Sequence, residues 1–228
     1  MQIYRPRLTH LNEKEVLRYA GQRDHQKMIL GDLKKSCREA LLLAQPQCTW
    51  NIYDYDEDNF SILTPTGYFP LSSAILRNHL QGCHQIVVLA VTIGAQLEDQ
   101  VDANFSSGQY TQALLLDAAG STAVEATANQ VNQAINAQLS KLGFFTLARF
   151  SPGYGDWDLA IQSELLPLTG GAAIGMTVTE SSMLVPRKSI TAVIGVHPEW
   201  LRNFPKDALN DAIPCNLSNC LARRSSKV

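Results

Sequence analysis

The sequence predicts an α+β fold: a mixed, mainly antiparallel twisted sheet flanked by helices, with a smaller N-terminal helical and strand region. Three observations carry this expectation. Residues 86–93 form a continuous β-branched, apolar run, the pattern of a strand buried on both faces. A long segment, residues 111–142, places Leu116, Gly120, Val124, Ala128, Val131, Ile135 and Leu139 on one stripe at steps of three and four, as an amphipathic helix requires. Strands and helices follow one another without a regular βαβ alternation, which argues against a doubly wound parallel sheet.

The elements follow in order. Asn12 caps a first helix, with Glu15 three residues on as in a capping box. A second helix is predicted over residues 26–44, with Ile29, Leu33, Cys37, Ala40 and Leu41 at helical spacing and Pro46 as its stop. Residues 50–63 are rich in aromatic and β-branched types and read as strands. Thr64-Pro65-Thr66-Gly67 is a turn, and residues 70–80 read as a short helix. After the long helix, capped by Gly143, come a strand at 144–148, a short helix at 159–166, and strands at 174–179 and 190–196. The long helix is rich in Ala, Gly and Ser between Ala113 and Ala128; tight helix packing accounts for this, and a ligand coming close would too. One domain spans 1–228, with 1–80 as a candidate subdomain and 205–228 as a tail.

Of the 228 residues, 45% are hydrophobic and 18% charged, a composition that supports a sizeable core without staples. The formal charge of −2 supplies no field for gripping nucleic acid, and Arg223, Arg224 and Lys227 read as a solvated tail. No apolar run reaches membrane length. Residues 1–16 carry charge throughout and no apolar core of a signal peptide, so a cytoplasmic protein with reduced thiols is expected. The five cysteines make no disulfide framework. Cys37, Cys48 and Cys83 read as packing residues. Cys215 and Cys220, even with His197, fall short of a tetrahedral metal site. His79 and His84 are expected at the surface, and the acidic run Asp54 to Asp58 in a solvated loop. No phosphate loop, dinucleotide fingerprint or nucleophile elbow is present.

The chemistry concentrates in Arg149-Phe150-Ser151-Pro152-Gly153-Tyr154-Gly155-Asp156-Trp157. Pro152 fixes its own φ and biases Ser151 toward extended backbone. Gly153 and Gly155 permit positive φ and close approach of a ligand. Arg149 offers a planar fork for a carboxylate, and Tyr154 a ring and a hydroxyl. Such a turn suits an amino acid or a nucleoside. A rigid structural turn bearing a surface arginine has the same features, and the residues alone leave both readings open.

Arg149-x-x-Pro152-Gly153-Tyr154 resembles the signature of the activation domain of cobalamin-dependent methionine synthase. Thr179-Glu180-Ser181 is similar to that family's Thr-Glu-Ser segment. Ala123-Val124-Glu125-Ala126, on the Ala-rich helix, resembles a segment that bears a ligand-facing Glu. The resemblance covers roughly residues 16–196, is dense from Leu114 onward, and is similar to the shorter, free-standing bacterial members.

The resemblance implies an S-adenosylmethionine-binding reactivation factor. Its target is a cobalamin-bearing methionine synthase or related corrinoid protein, with a flavodoxin-type electron donor. Arg149, Ser151, Gly153 and Tyr154 are the implied ligand residues, with Glu125 accepting the ligand's ammonium and Glu180 a further candidate. No catalytic residue and no metal ligand is implied. The cobalamin must come from a partner, because no Asp-x-His-x-x-Gly motif is present. Any enzymatic activity would be the methionine synthase-type activation half-reaction with that partner. Phe150 and Gly155 stand where the long, modular synthases carry Pro. That departure motivates a rival reading, a non-catalytic interaction or scaffold subunit that has lost the ligand. A binder of another amino-acid-like or corrinoid ligand is a third.

Overall fold

The computed structural model describes residues 3–21 and 30–198. Six helices and two sheets are present among the described residues. The predicted helix residues 26–29, His25, and the tail with Cys215, Cys220, Arg223, Arg224 and Lys227 lie outside them.

Helix α1, Glu13–Tyr19, opens as the sequence requires: the Lys14 N–H donates to Asn12 Oδ1 at 3.0 Å. Glu15 does not close the capping box; its carboxylate takes Arg18 at 2.8 Å instead. Helix α2, Leu30–Leu43, buries Leu33, Cys37 and Ala40 on one face. Strand β1, Gln47–Asp56, leads into a hairpin of β2, Ser61–Thr64, and β3, Gly67–Pro70, closed by the predicted turn with Thr64 opposite Gly67.

Pro70 was expected to begin a helix. It ends the edge strand β3 opposite Ser61, where its missing N–H costs no ladder bond. Helix α3 starts only at Ala74 and runs Ala74–His79, capped by Ser73. Strand β4, Gln85–Thr92, has every residue from Ile86 onward buried, as the apolar run predicts.

Helix α4, Gln96–Ser106, was not anticipated; its buried face is only Leu97, Val101 and Asn104, too sparse a stripe to stand out in the sequence. Helix α5, Tyr110–Ser140, is the predicted long helix. Strand β5, Phe144–Thr146, follows. A 3-10 turn at Leu159–Ile161 leads into α6, Gln162–Thr169. The strand expected at 174–179 shrinks to β6, Thr177–Val178. A 3-10 turn over Gly171–Ile174 and a left-handed Gly175 (φ 75°) preclude extended backbone before it. It pairs with β7, Leu184–Val185, and β8, Ser189–Pro198, completes the chain's main sheet.

The main sheet has the order β3-β2-β1-β4-β8-β5 and is antiparallel. The chain divides into two discontinuous units. One comprises the described residues of Met1–Asn51, Val88–Ala134 and Ala160–Thr191, the other those of Ile52–Val87, Ile135–Leu159 and Ala192–Val228. The first holds an apolar cluster of Ala90, Leu166, Ile174, Met176 and Leu184. There Gly120 of α5 packs closely on α4: a Cβ at this position would stand 2.6 Å from Leu97 Cδ2. The second buries Phe60, Phe150 and Trp157.

Candidate functional site

In the second unit the chain leaves β5 along β8. The Leu147 N–H donates to the Gly195 carbonyl at 2.9 Å, and Phe150 and Val193 exchange two bonds of 2.9 Å. Ala148 and Arg149 fall between these anchors. Past Phe150 the backbone turns sharply, with Gly153 at φ 86° and Gly155 at φ 59°, both in the left-handed region where side chains are disfavoured. Three bonds stiffen the turn. The Gly153 N–H donates to the Trp157 carbonyl (2.8 Å), Tyr154 N–H to Ser151 (3.2 Å), and Trp157 N–H to Tyr154 (3.0 Å).

The turn has two sides. Phe150, Pro152 and Trp157 are buried, the Phe150 and Trp157 rings 5.9 Å apart. Arg149, Ser151 and Tyr154 are half-buried, and Gly153 and Gly155 exposed. Arg149, Ser151, Gly153 and Tyr154 thus make up the less buried rim of one turn. Because the Gly153 N–H is spent on Trp157, a ligand could meet Gly153 only through its carbonyl or its bare Cα.

Phe150 and Gly155, the positions at which the resemblance breaks down, fit their surroundings. Phe150 is fully buried, packed between Trp157 and the His79 ring at 5.8 Å. Gly155 backs onto α3, where a Cβ would stand 2.8 Å from Ile75 Cδ1. A proline, held near φ −65°, has no access to the φ of 59° found at this position.

Glu125 and Glu180 belong to the first unit. Glu125 is half-buried on α5, next to buried Val124. Its charge falls on Tyr19, whose phenol is pushed above its ordinary range by burial first and Glu125 second. The Arg18 guanidinium lies 4.3 Å from the Tyr19 ring centroid. Glu180 is exposed at the tip of the β6–β7 hairpin. The Thr-Glu-Ser segment owes its shape to Thr179, whose Oγ1 accepts the Met183 N–H at 3.1 Å.

Several residues that shape the turn were not singled out in the sequence. His79 was expected at the surface; it is half-buried, its Nε2 donating to the Ala148 carbonyl at 2.9 Å, and burial lowers its pKa. Nothing in sequence connects positions 79 and 148. Ser73 carried a local signal, as a cap residue before a helix, but its second role depends on Asp156, 83 residues away. Among the described residues no group of three metal-ligating side chains exists, and no helix is long and apolar enough to cross a membrane.

No protein-family model matches the chain, and no curated protein does. Among solved structures the chain is similar to the MetH reactivation domain bound to AdoHcy. The TM-score is 0.56 at 14% identity, covering 87% of this chain and 79% of that one. At so low an identity the likeness establishes a shared fold.

Proposed function

We propose that this chain binds S-adenosylmethionine and serves as a reactivation factor for a cobalamin-bearing methionine synthase or a related corrinoid methyltransferase. The observation that carries the reading is the Arg149–Tyr154 rim: a guanidinium, an aromatic ring and bare glycine backbone on one stiffened turn. It is presented on a fold shared with a domain solved with AdoHcy bound. The guanidinium of Arg149 suits the carboxylate of the methionyl group, and the Tyr154 ring suits a flat base. Following the resemblance, Glu125 of α5 is the proposed partner of the ammonium, and Glu180 a further candidate contact.

A cobalamin-bearing partner would supply the methyl acceptor and a flavodoxin-type donor the electron, with S-adenosylhomocysteine as the leaving group. The part of this chain is to bind the methyl donor and orient it. The test is calorimetric titration of S-adenosylmethionine into the purified protein. Arg149→Ala and Glu125→Ala should each weaken binding about tenfold or more, the worth of a hydrogen bond to a charged group. Unchanged affinity in both would remove this site.

A scaffold subunit of a corrinoid methyltransferase is the second reading, favoured by the left-handed Gly155, which sends the turn along a path closed to the family's proline. Failure of the wild-type protein to bind, alone and with a cobalamin protein present, would select it.

A further inference from the structure

The turn that carries Arg149, Ser151, Gly153 and Tyr154 is tied at both ends to one short helix. At its entrance His79, the last residue of α3, donates from Nε2 to the carbonyl of Ala148, immediately before Arg149. At its exit Asp156, immediately after Gly155, grips the opposite end of α3. Its carboxylate accepts from Ser73 Oγ, from the Ala74 N–H at 2.8 Å and from the Ile75 N–H at 3.4 Å. Ser73 Oγ in turn accepts the Leu76 N–H at 2.9 Å, so one hydroxyl links the helix cap to the turn. Between the two anchors Gly155 lies against Ile75, and Phe150 against the His79 ring.

Helix α3 has six residues, so its ends stand about 9 Å apart. The stretch from Ala148 to Asp156 could extend to about 27 Å. The helix therefore acts as a strut that holds the ends of the turn well inside the reach of the extended chain. A free turn must be ordered when a ligand binds, at about 1–2 kcal/mol of backbone entropy per residue fixed. A turn held in advance avoids that cost, which is how preorganisation raises affinity. The Asp156 carboxyl is held below its ordinary range chiefly by the Ser73 hydroxyl, as expected of an anion engaged with the helix start.

We propose that His79 and Asp156 are positioning residues, which through α3 preorganise the Arg149–Gly155 turn for its ligand. The proposal rests on the reading of that turn as the S-adenosylmethionine site.

The experiment compares Asp156→Ala and His79→Leu with the conservative variants Asp156→Asn and His79→Gln, whose side chains keep a hydrogen-bonding atom in place. Each is titrated with S-adenosylmethionine and followed by amide hydrogen exchange. The disruptive variants should lose about tenfold in affinity, and the conservative ones recover most of it. The amides of Gly153, Tyr154 and Trp157 should exchange faster in the disruptive variants, while those of β4 stay protected. Unchanged affinity and unchanged exchange in the turn would overturn the proposal, as would protection lost evenly across the sheet. If the wild-type protein binds no S-adenosylmethionine, the ligand reading fails. The strut is then decided by exchange alone: faster turn amides support it, and unchanged ones overturn it.

Discussion

At the scale of single residues, the turn shows how one position can be dictated by backbone and packing together. Gly155 combines a φ of 59° with a neighbour 2.8 Å from where a Cβ would sit. Gly155→Ala should cost about 1–2 kcal/mol for the left-handed backbone, with a further loss from displacing Ile75. Chemical denaturation would read this as a lowered midpoint at unchanged slope. Trp157 is the opposite case, a large ring that is 1% exposed and has no acceptor for its Nε1–H among the described residues. Its value lies in its buried ring. Trp157→Ala should cost about 3–5 kcal/mol, whereas Trp157→Phe keeps most of the apolar contact and removes an unpaired donor. Equal losses for the two variants would contradict this view.

At the scale of elements, what was visible from sequence depended on how local the signal was. The Asn12 cap, the apolar run of β4 and the long stripe of α5 are contained in their own segments. Helix α4 escaped because only two aliphatic residues, Leu97 and Val101, mark its buried face. Helix α3 was drawn too long because Pro70 is acceptable both at a helix start and at the end of an edge strand; the pairing with Ser61 decided between them. The two caps make a matched comparison. Asn12→Ala should cost about 1 kcal/mol, the usual worth of a cap, and be felt in α1 alone. Ser73→Ala removes both the Leu76 cap bond and the Asp156 bond, and should cost roughly twice as much. Denaturation midpoints of the two variants check the ordering.

At the scale of the whole molecule, buried His197 and half-buried His79 make stability sensitive to acid. His197 is 3% exposed and stacks on Phe145 at 5.3 Å. Burial lowers its pKa from the ordinary 6.5, as it lowers that of His79, because the imidazolium is poorly solvated inside. Between the ordinary and the lowered value the unfolded chain holds the proton and the folded chain does not. Stability contributed by the neutral rings is therefore present above 6.5 and lost as pH falls through that window. Denaturation midpoints should fall as pH is lowered from above the ordinary histidine value of 6.5 down through the lowered one. A flat or rising profile would be incompatible with neutral rings at His79 and His197.

By itself the sequence determined the α+β class, the buried strand, the long helix with its packing stripe, and the clustering of Arg149, Ser151, Gly153 and Tyr154. Each is written in neighbouring residues: periodicity, β-branching, and the Pro and Gly that bend a chain. Only the tertiary structure decided what holds that turn, which side of it is buried, and what Phe150 and Gly155 pack against. Those answers rest on contacts between positions 69 to 83 residues apart. Such pairs have no spacing or composition that marks them, because their proximity is created by strand pairing and helix packing after the local elements have formed.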